Sequence, residues 1–148
     1  MMNPLHKAID LSKVGGAYGG PVGAVVTRDS EMVGQGFHSV KSKKDPTAHA
    51  VVMAIRDAGR FLGGADLSSC EIHVSCEPCP LCVGAIYYAG ITKVYYASPN
   101  RCVGIRTDRG PMLTIPPDTI EFIQSKEPER VAAQLVIDTW KSTLQQEG

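Results

Sequence analysis

Cys79 and Cys82 stand three residues apart in the run Ser75-Cys76-Glu77-Pro78-Cys79-Pro80-Leu81-Cys82, and His49 lies thirty positions upstream of Cys79. Thiols at this interval serve either metal ligation or thiol–disulfide exchange. On a helical turn the spacing turns both sulfurs to one side. A helix N-terminus also carries partial positive charge, which favours the thiolate form that zinc binds. One imidazole and two thiolates make a three-ligand zinc set with the fourth position left to water. A redox pair would be expected after a strand in a thioredoxin-like setting, and nothing else in the chain supports that. A purely structural zinc would need a fourth protein ligand, with Cys76, Cys102, His38 and His73 as the available side chains.

The elements that must position these residues alternate along the chain, which favours a single α/β domain over residues 1–148. Leu5 to Val14 reads as a helix ended by Gly15-Gly16, and Val22 to Thr27 as a strand turned by Arg28-Asp29-Ser30. Met32 to Val40 is its hairpin partner, and Lys41 to Pro46 is a polar loop. A helix is expected from Thr47 to Leu62, stopped by Gly63-Gly64, with His49 in its first turn. Cys70 to Ser75 reads as a strand, and a second helix runs from Pro78–Pro80 to Ala89 with Gly90 at its end. Lys93 to Ala97 is a short strand. Beyond Arg101 lie an irregular stretch, a short helix over Asp118 to Gln124, and a longer one over Glu129 to Leu144. Val131, Leu135, Val136, Trp140, Thr143 and Leu144 fall on one face of that last helix. Side-by-side packing of the two central helices brings His49 to the two cysteines.

Composition bounds what such a site can serve. The chain has 148 residues, 43% hydrophobic and 20% charged, with 15 Lys+Arg against 15 Asp+Glu. That excludes a mainly disordered chain, and zero net charge argues against a domain built chiefly to hold phosphate backbones. No apolar run reaches the roughly 18–20 residues that span a bilayer, and Met1 to Asp10 is no signal-peptide core. A cytoplasmic protein is expected. Five cysteines, an odd number, argue against a disulfide framework.

Thr47-Ala48-His49-Ala50 followed by the proline-flanked Cys-x-x-Cys resembles the zinc signature of the cytidine deaminase-like superfamily, His-x-Glu then Pro-Cys-x-x-Cys. Gly19-Gly20-Pro21-Val22-Gly23-Ala24-Val25, Asp45 to Ala50 and Gly84-Ala85-Ile86-Tyr87-Tyr88 are similar to its guanine deaminase and tRNA adenosine deaminase branch. The resemblance covers about residues 5 to 98. It implies a three-layer α/β/α fold on a mixed sheet of about five strands, zinc on His49, Cys79 and Cys82, and hydrolytic deamination of a purine-like heterocycle. It further implies a homodimer with a small nucleobase-like substrate.

The same resemblance places the family's catalytic glutamate at position 51, where this chain has Val51. A carboxylate there shuttles protons between the attacking water, a ring nitrogen and the leaving amine; an isopropyl group does none of this. General acid–base assistance is worth roughly 10²–10⁴-fold, so impaired or altered activity is expected. His38 stands where the family's base-contacting asparagine aligns, and Val22 replaces a phenylalanine. His38, Val22 and Ala50 are therefore the expected substrate contacts, with His38 and Asp108 as candidates for the missing proton traffic. The alternative is a catalytically silent zinc-binding homologue, a non-catalytic subunit or ligand-binding module. Lys41, Lys43 and Lys44 form a small basic patch, but the balanced charge makes tRNA an unfavoured partner.

Overall fold

The computed structural model describes residues 3–99 and 119–147. Helix α1 (Pro4–Ala17) leads into a hairpin of β1 (Gly23–Arg28) and β2 (Glu31–Phe37). The two turn residues Asp29 and Ser30 both have positive φ, 51° and 67°, which is the backbone that twists two antiparallel strands together over a two-residue loop. A single turn, α2 (Val40–Lys43), precedes α3 (Ala50–Leu62). Then follow β3 (Glu71–Cys76), α4 (Pro80–Ala89), β4 (Lys93–Ser98), β5 (Glu121–Gln124) and α5 (Glu127–Glu147).

The five strands form one mixed sheet in the order β2-β1-β3-β4-β5, with β1 antiparallel to β2 and β3, and β4 parallel to both β3 and β5. Parallel β3 and β4 need a crossover, and α4 provides it. Helices cover both faces. On one face Ala24, Val26, Ile72, Val74 and Val94 meet Ala50, Val51, Ala54 and Ala58 of α3 and Ile86 and Ala89 of α4. On the other, Val25 packs on Ala8 and Leu11 of α1, and Ala97 on Leu5, Ile9 and Ala133 of α1 and α5. Each fully buried aliphatic side chain contributes about 1.5–3 kcal/mol. The expected three-layer α/β/α architecture is therefore present. Helix α3 lies close on β2 because Gly34 and Gly36 carry no side chain; a Cβ at either would fall 2.6 Å from the helix backbone.

Four expectations need correction. Helix α1 runs through Gly15-Gly16 to Ala17, because Gly15 serves close packing: its Cβ would sit 2.6 Å from the carbonyl oxygen of Gly20. The polar loop contains α2, closed by Lys44 in the left-handed region at φ 54°. The short helix expected over Asp118 to Gln124 is strand β5 in its described part, since Lys93 to Tyr96 of β4 pair in parallel with Glu121 to Gln124. Finally, α5 buries Ala133 and Ile137, whereas Val131, Leu135 and Leu144 are exposed. Among the described residues no helix is long and apolar enough to cross a membrane.

Candidate metal centre

His49 and Cys79 are the N-cap residues of α3 and α4, each with extended backbone, and neither side chain caps its own helix. Both are thereby free to point away from the helix ends. Local chemistry fixes these starts. The Asp45 carboxylate accepts from the Thr47 N–H at 2.9 Å and the Thr47 hydroxyl at 2.7 Å, turning the chain through Pro46 so that the helix begins only after His49. Pro80 opens α4, where a missing N–H costs nothing. The Glu77 N–H donates to the Ser98 carbonyl at 2.8 Å, holding the β3–α4 connection to the end of β4.

These placements bring the three predicted ligands together. His49 Nδ1 lies 3.4 Å from Cys79 Sγ and 3.5 Å from Cys82 Sγ, and the two sulfurs are 3.5 Å apart. A near-equilateral triangle of this edge is one face of a tetrahedron whose centre is about 2.1 Å from each vertex, between the usual Zn–N and Zn–S lengths. The donor set thus fits zinc in both chemistry and size. A hydrogen bond from Cys82, with further help from His49, holds the Cys79 thiol well below its ordinary pKa despite burial, so the thiolate is favoured. Among the described residues this is the one group whose ligand atoms all lie within 4.8 Å of one another. Cys76, His38 and His73 are not part of it, so within the described residues no fourth side chain closes the centre. Cys102 and Asp108 lie outside those residues.

The remaining predicted site residues separate by character. Ala50 and Val51 open α3; both are buried, Val51 at 1% exposure, and the first turn of α3 has no acidic residue. Val22 is buried and packs in the same core. His38 is 3% exposed, and its ring centroid lies 5.6 Å from that of His49 at an interplanar angle of 37°. Gly20 makes room for it, since a Cβ there would approach the His38 ring to 2.9 Å. Burial first, and then the neighbouring His49, push the His38 pKa below its ordinary value, against a smaller upward pull from Cys79. The His38 backbone N–H donates to the Val22 carbonyl at 3.0 Å, which ties two of the expected substrate contacts together. Sequence reasoning put His49 inside the helix and missed that it is an N-cap. For Cys79 the signal was available, since proline at the first helical position makes its predecessor the N-cap.

Comparison with known proteins agrees with this geometry. The model of the family described as the cytidine and deoxycytidylate deaminase zinc-binding region matches residues 2–98. The guanine deaminase of Bacillus subtilis is 45% identical over 98 residues, 65% of this chain and 63% of that protein. A tRNA-specific adenosine deaminase of Aquifex aeolicus is 40% identical over 81 residues, 55% of this chain and 54% of its own length. The chain thus spans less than two thirds of these curated relatives. Among solved structures, the guanine deaminase of Nitrosomonas europaea superposes with a TM-score of 0.80 at 26% identity, covering 94% of this chain and 83% of its own. With the ligand triangle, the sheet order and the matched segment all in agreement, the chain belongs to the zinc-binding cytidine and deoxycytidylate deaminase family.

Proposed function

We propose that this chain is a zinc-dependent deaminase-family protein that binds a purine-like heterocycle, and that Val51 impairs or alters its hydrolytic deamination. The observation that carries this reading is a three-ligand set, with no fourth ligand among the described residues, beside a fully buried valine at the second position of α3. His49, Cys79 and Cys82 would hold the metal, which when bound supplies Lewis-acid activation of water. Val22, Ala50 and Val51 give an apolar environment that suits a flat ring and excludes bulk water. His38 is the polar contact: its buried ring lies 5.6 Å from that of His49, which places an imidazole edge next to the metal ligands for a heterocycle to meet. Without a carboxylate at position 51, no first-turn residue of α3 can carry protons between water, ring and leaving amine. Asp108 is the acid proposed to serve the site in its place.

The proposal extends to one domain spanning 1–148 that acts on a small molecule as a homodimer. Support for self-association comes from α3 and α4, where Phe61 and Tyr88 are 72% and 89% exposed. Light scattering on the zinc-loaded protein should give twice the chain mass; a monomer at micromolar concentration removes this part. The functional test is ammonia release from guanine, adenine and cytosine, with the metal-free protein as control. Release above that control, rising strongly in Val51→Glu, supports the reading. Heterocycle binding without release, in both the parent chain and Val51→Glu, favours the silent ligand-binding homologue.

A further inference from the structure

The thiols of Cys79 and Cys82 can give up electrons as well as bind a metal, and the fold supplies a setting for this that the sequence alone left unsupported. Strand β3 ends at Cys76, α4 runs from Pro80 to Ala89, and β4 pairs in parallel with β3. The pair therefore sits at the strand-to-helix turn of a βαβ unit, a place where a Cys-x-x-Cys motif serves thiol–disulfide chemistry. Cys79 is the N-cap residue of α4, and Cys82 lies in the first turn. The partial positive charge at that helix start favours the thiolate, which is the nucleophilic form.

Two observations single out this pair among the described thiols. The Sγ atoms of Cys79 and Cys82 are 3.5 Å apart. A disulfide of about 2.05 Å then requires each sulfur to move by less than about 1 Å, a shift within reach of side-chain rotation. Exposure also gives the pair an order of reaction. Cys79 is partly exposed whereas Cys82 is 5% exposed, so Cys79 meets a solute first and Cys82 stands behind it as the resolving thiol. Cys70 and Cys76 are 3% and 4% exposed, and thiols buried in apolar surroundings are inert.

We propose that the metal centre is also a redox switch, in which a hydroperoxide converts Cys79 and Cys82 to a disulfide and so discharges the metal. The Cys79 thiolate attacks a peroxide oxygen: an S–O bond forms, the O–O bond breaks, and hydroxide leaves behind a sulfenic acid. The Cys82 thiolate then attacks the Cys79 sulfur, the S–S bond forms, and the sulfenic oxygen leaves as a second hydroxide. The two sulfurs lose two electrons, the peroxide gains them, and two solvent protons convert both hydroxides to water. Of the three ligands only His49 then remains, which is too few for a zinc site. A small dithiol reverses the change in two exchange steps, returning both electrons and both protons. The inference rests on the metal centre and not on the proposed deamination, so it is independent of what Val51 does.

The test treats the zinc-loaded full chain with about a tenfold excess of hydrogen peroxide, reading released zinc with a chromogenic indicator and the chain by intact mass and peptide mapping. One zinc should appear per disulfide formed, the chain should lose two hydrogen atoms, and mapping should join Cys79 to Cys82. The oxidised chain should melt at the same temperature with or without added zinc, and dithiothreitol should restore the zinc-dependent rise. Cys76→Ala should release zinc to the same extent, since that thiol has no part in the switch. Cys82→Ser should stop at a Cys79 sulfenic acid, captured by dimedone, because its resolving thiol is gone. Four results overturn the proposal: zinc retained with the thiols intact, a disulfide that includes Cys76, a parent chain that gains oxygen instead of losing hydrogen, or zinc binding that dithiothreitol does not restore.

Discussion

Replacing Val51 by glutamate tests the site through stability before it tests chemistry. Val51 is 1% exposed and packs in the core beneath α3. Losing its buried isopropyl group costs about 2 kcal/mol, and placing an unpaired carboxylate there costs a further few kcal/mol or forces it to take up a proton. The start of α3 returns up to about 1 kcal/mol to a negative charge. The metal-free variant should therefore lose about 3 kcal/mol, a fall of roughly 6–12 °C in melting temperature for a chain of this size. A divalent cation in the adjoining triad attracts the carboxylate by several kcal/mol even at an effective dielectric near 20. Zinc should then recover most of the deficit. Val51→Gln is the control, since it loses the same packing without gaining the charge. Calorimetry of parent, Glu and Gln variants, each with and without zinc, reads the difference directly. If zinc leaves the Glu deficit untouched, or rescues Gln equally, position 51 does not face the metal and the reading of Val51 fails. If the rescue occurs, ammonia release from the right heterocycle should rise by about 10²–10⁴-fold, the usual worth of acid–base assistance.

Other perturbations follow from the same geometry. Cys79→Ser should reduce bound zinc, measured by elemental analysis, to below about a tenth of the parent stoichiometry, because it removes both a ligand and the thiol held as thiolate. Chelation of the parent should lower its melting temperature by roughly 8–16 °C relative to a thousandfold excess of zinc over its dissociation constant. His38→Ala should weaken heterocycle binding about tenfold through a lost hydrogen bond, read by calorimetric titration with guanine, while zinc content stays unchanged. Acid should destabilise the fold through His73, whose pKa of about 4 lies below its unfolded value of 6.5. Above that unfolded value the group contributes nothing, and as pH falls from 6.5 to 4 the unfolded state binds the proton first. Stability should therefore drop by up to about 3 kcal/mol over that window, and His73→Val should flatten the pH dependence of urea midpoints there.

What could be read from the chain alone follows the range of the forces involved. The triad was legible because its determinants are local: Pro80 fixes the start of α4, and the Asp45-Pro46-Thr47 turn delivers His49 to α3. The β1–β2 hairpin was legible for the same reason, its two-residue turn lying in sequence between its strands. Strand β5 was not, because four residues are too few to show a period and its conformation comes from pairing with β4, which begins 28 positions earlier. The buried face of α5 was misread because Val131 and Leu135 outrank Ala133 in hydrophobicity, whereas close packing against α1 and β4 selects the small side chain. The Thr27–His73–Tyr95 cluster depends on register across three strands, which no single segment contains.

Holding a metal and moving a proton place separate demands on this fold. The triad joins the starts of α3 and α4, two helices packed side by side on one face of the sheet. Free energy of metal binding is released only when both starts are in place, so it counts toward folding whether or not any substrate is turned over. Position 51, the proposed place for proton transfer, lies on the same first turn but contributes through its own packing: a buried valine there adds to the core, and a buried carboxylate subtracts from it unless the metal is present. A chain with Val51 should therefore keep its fold better than a glutamate-bearing one when zinc is scarce, and retain the ligand triangle without needing the chemistry. Measuring the zinc concentration at which parent and Val51→Glu unfold at equal temperature tests this coupling. The glutamate variant should require the higher concentration, and equal requirements would show that metal and position 51 are energetically independent.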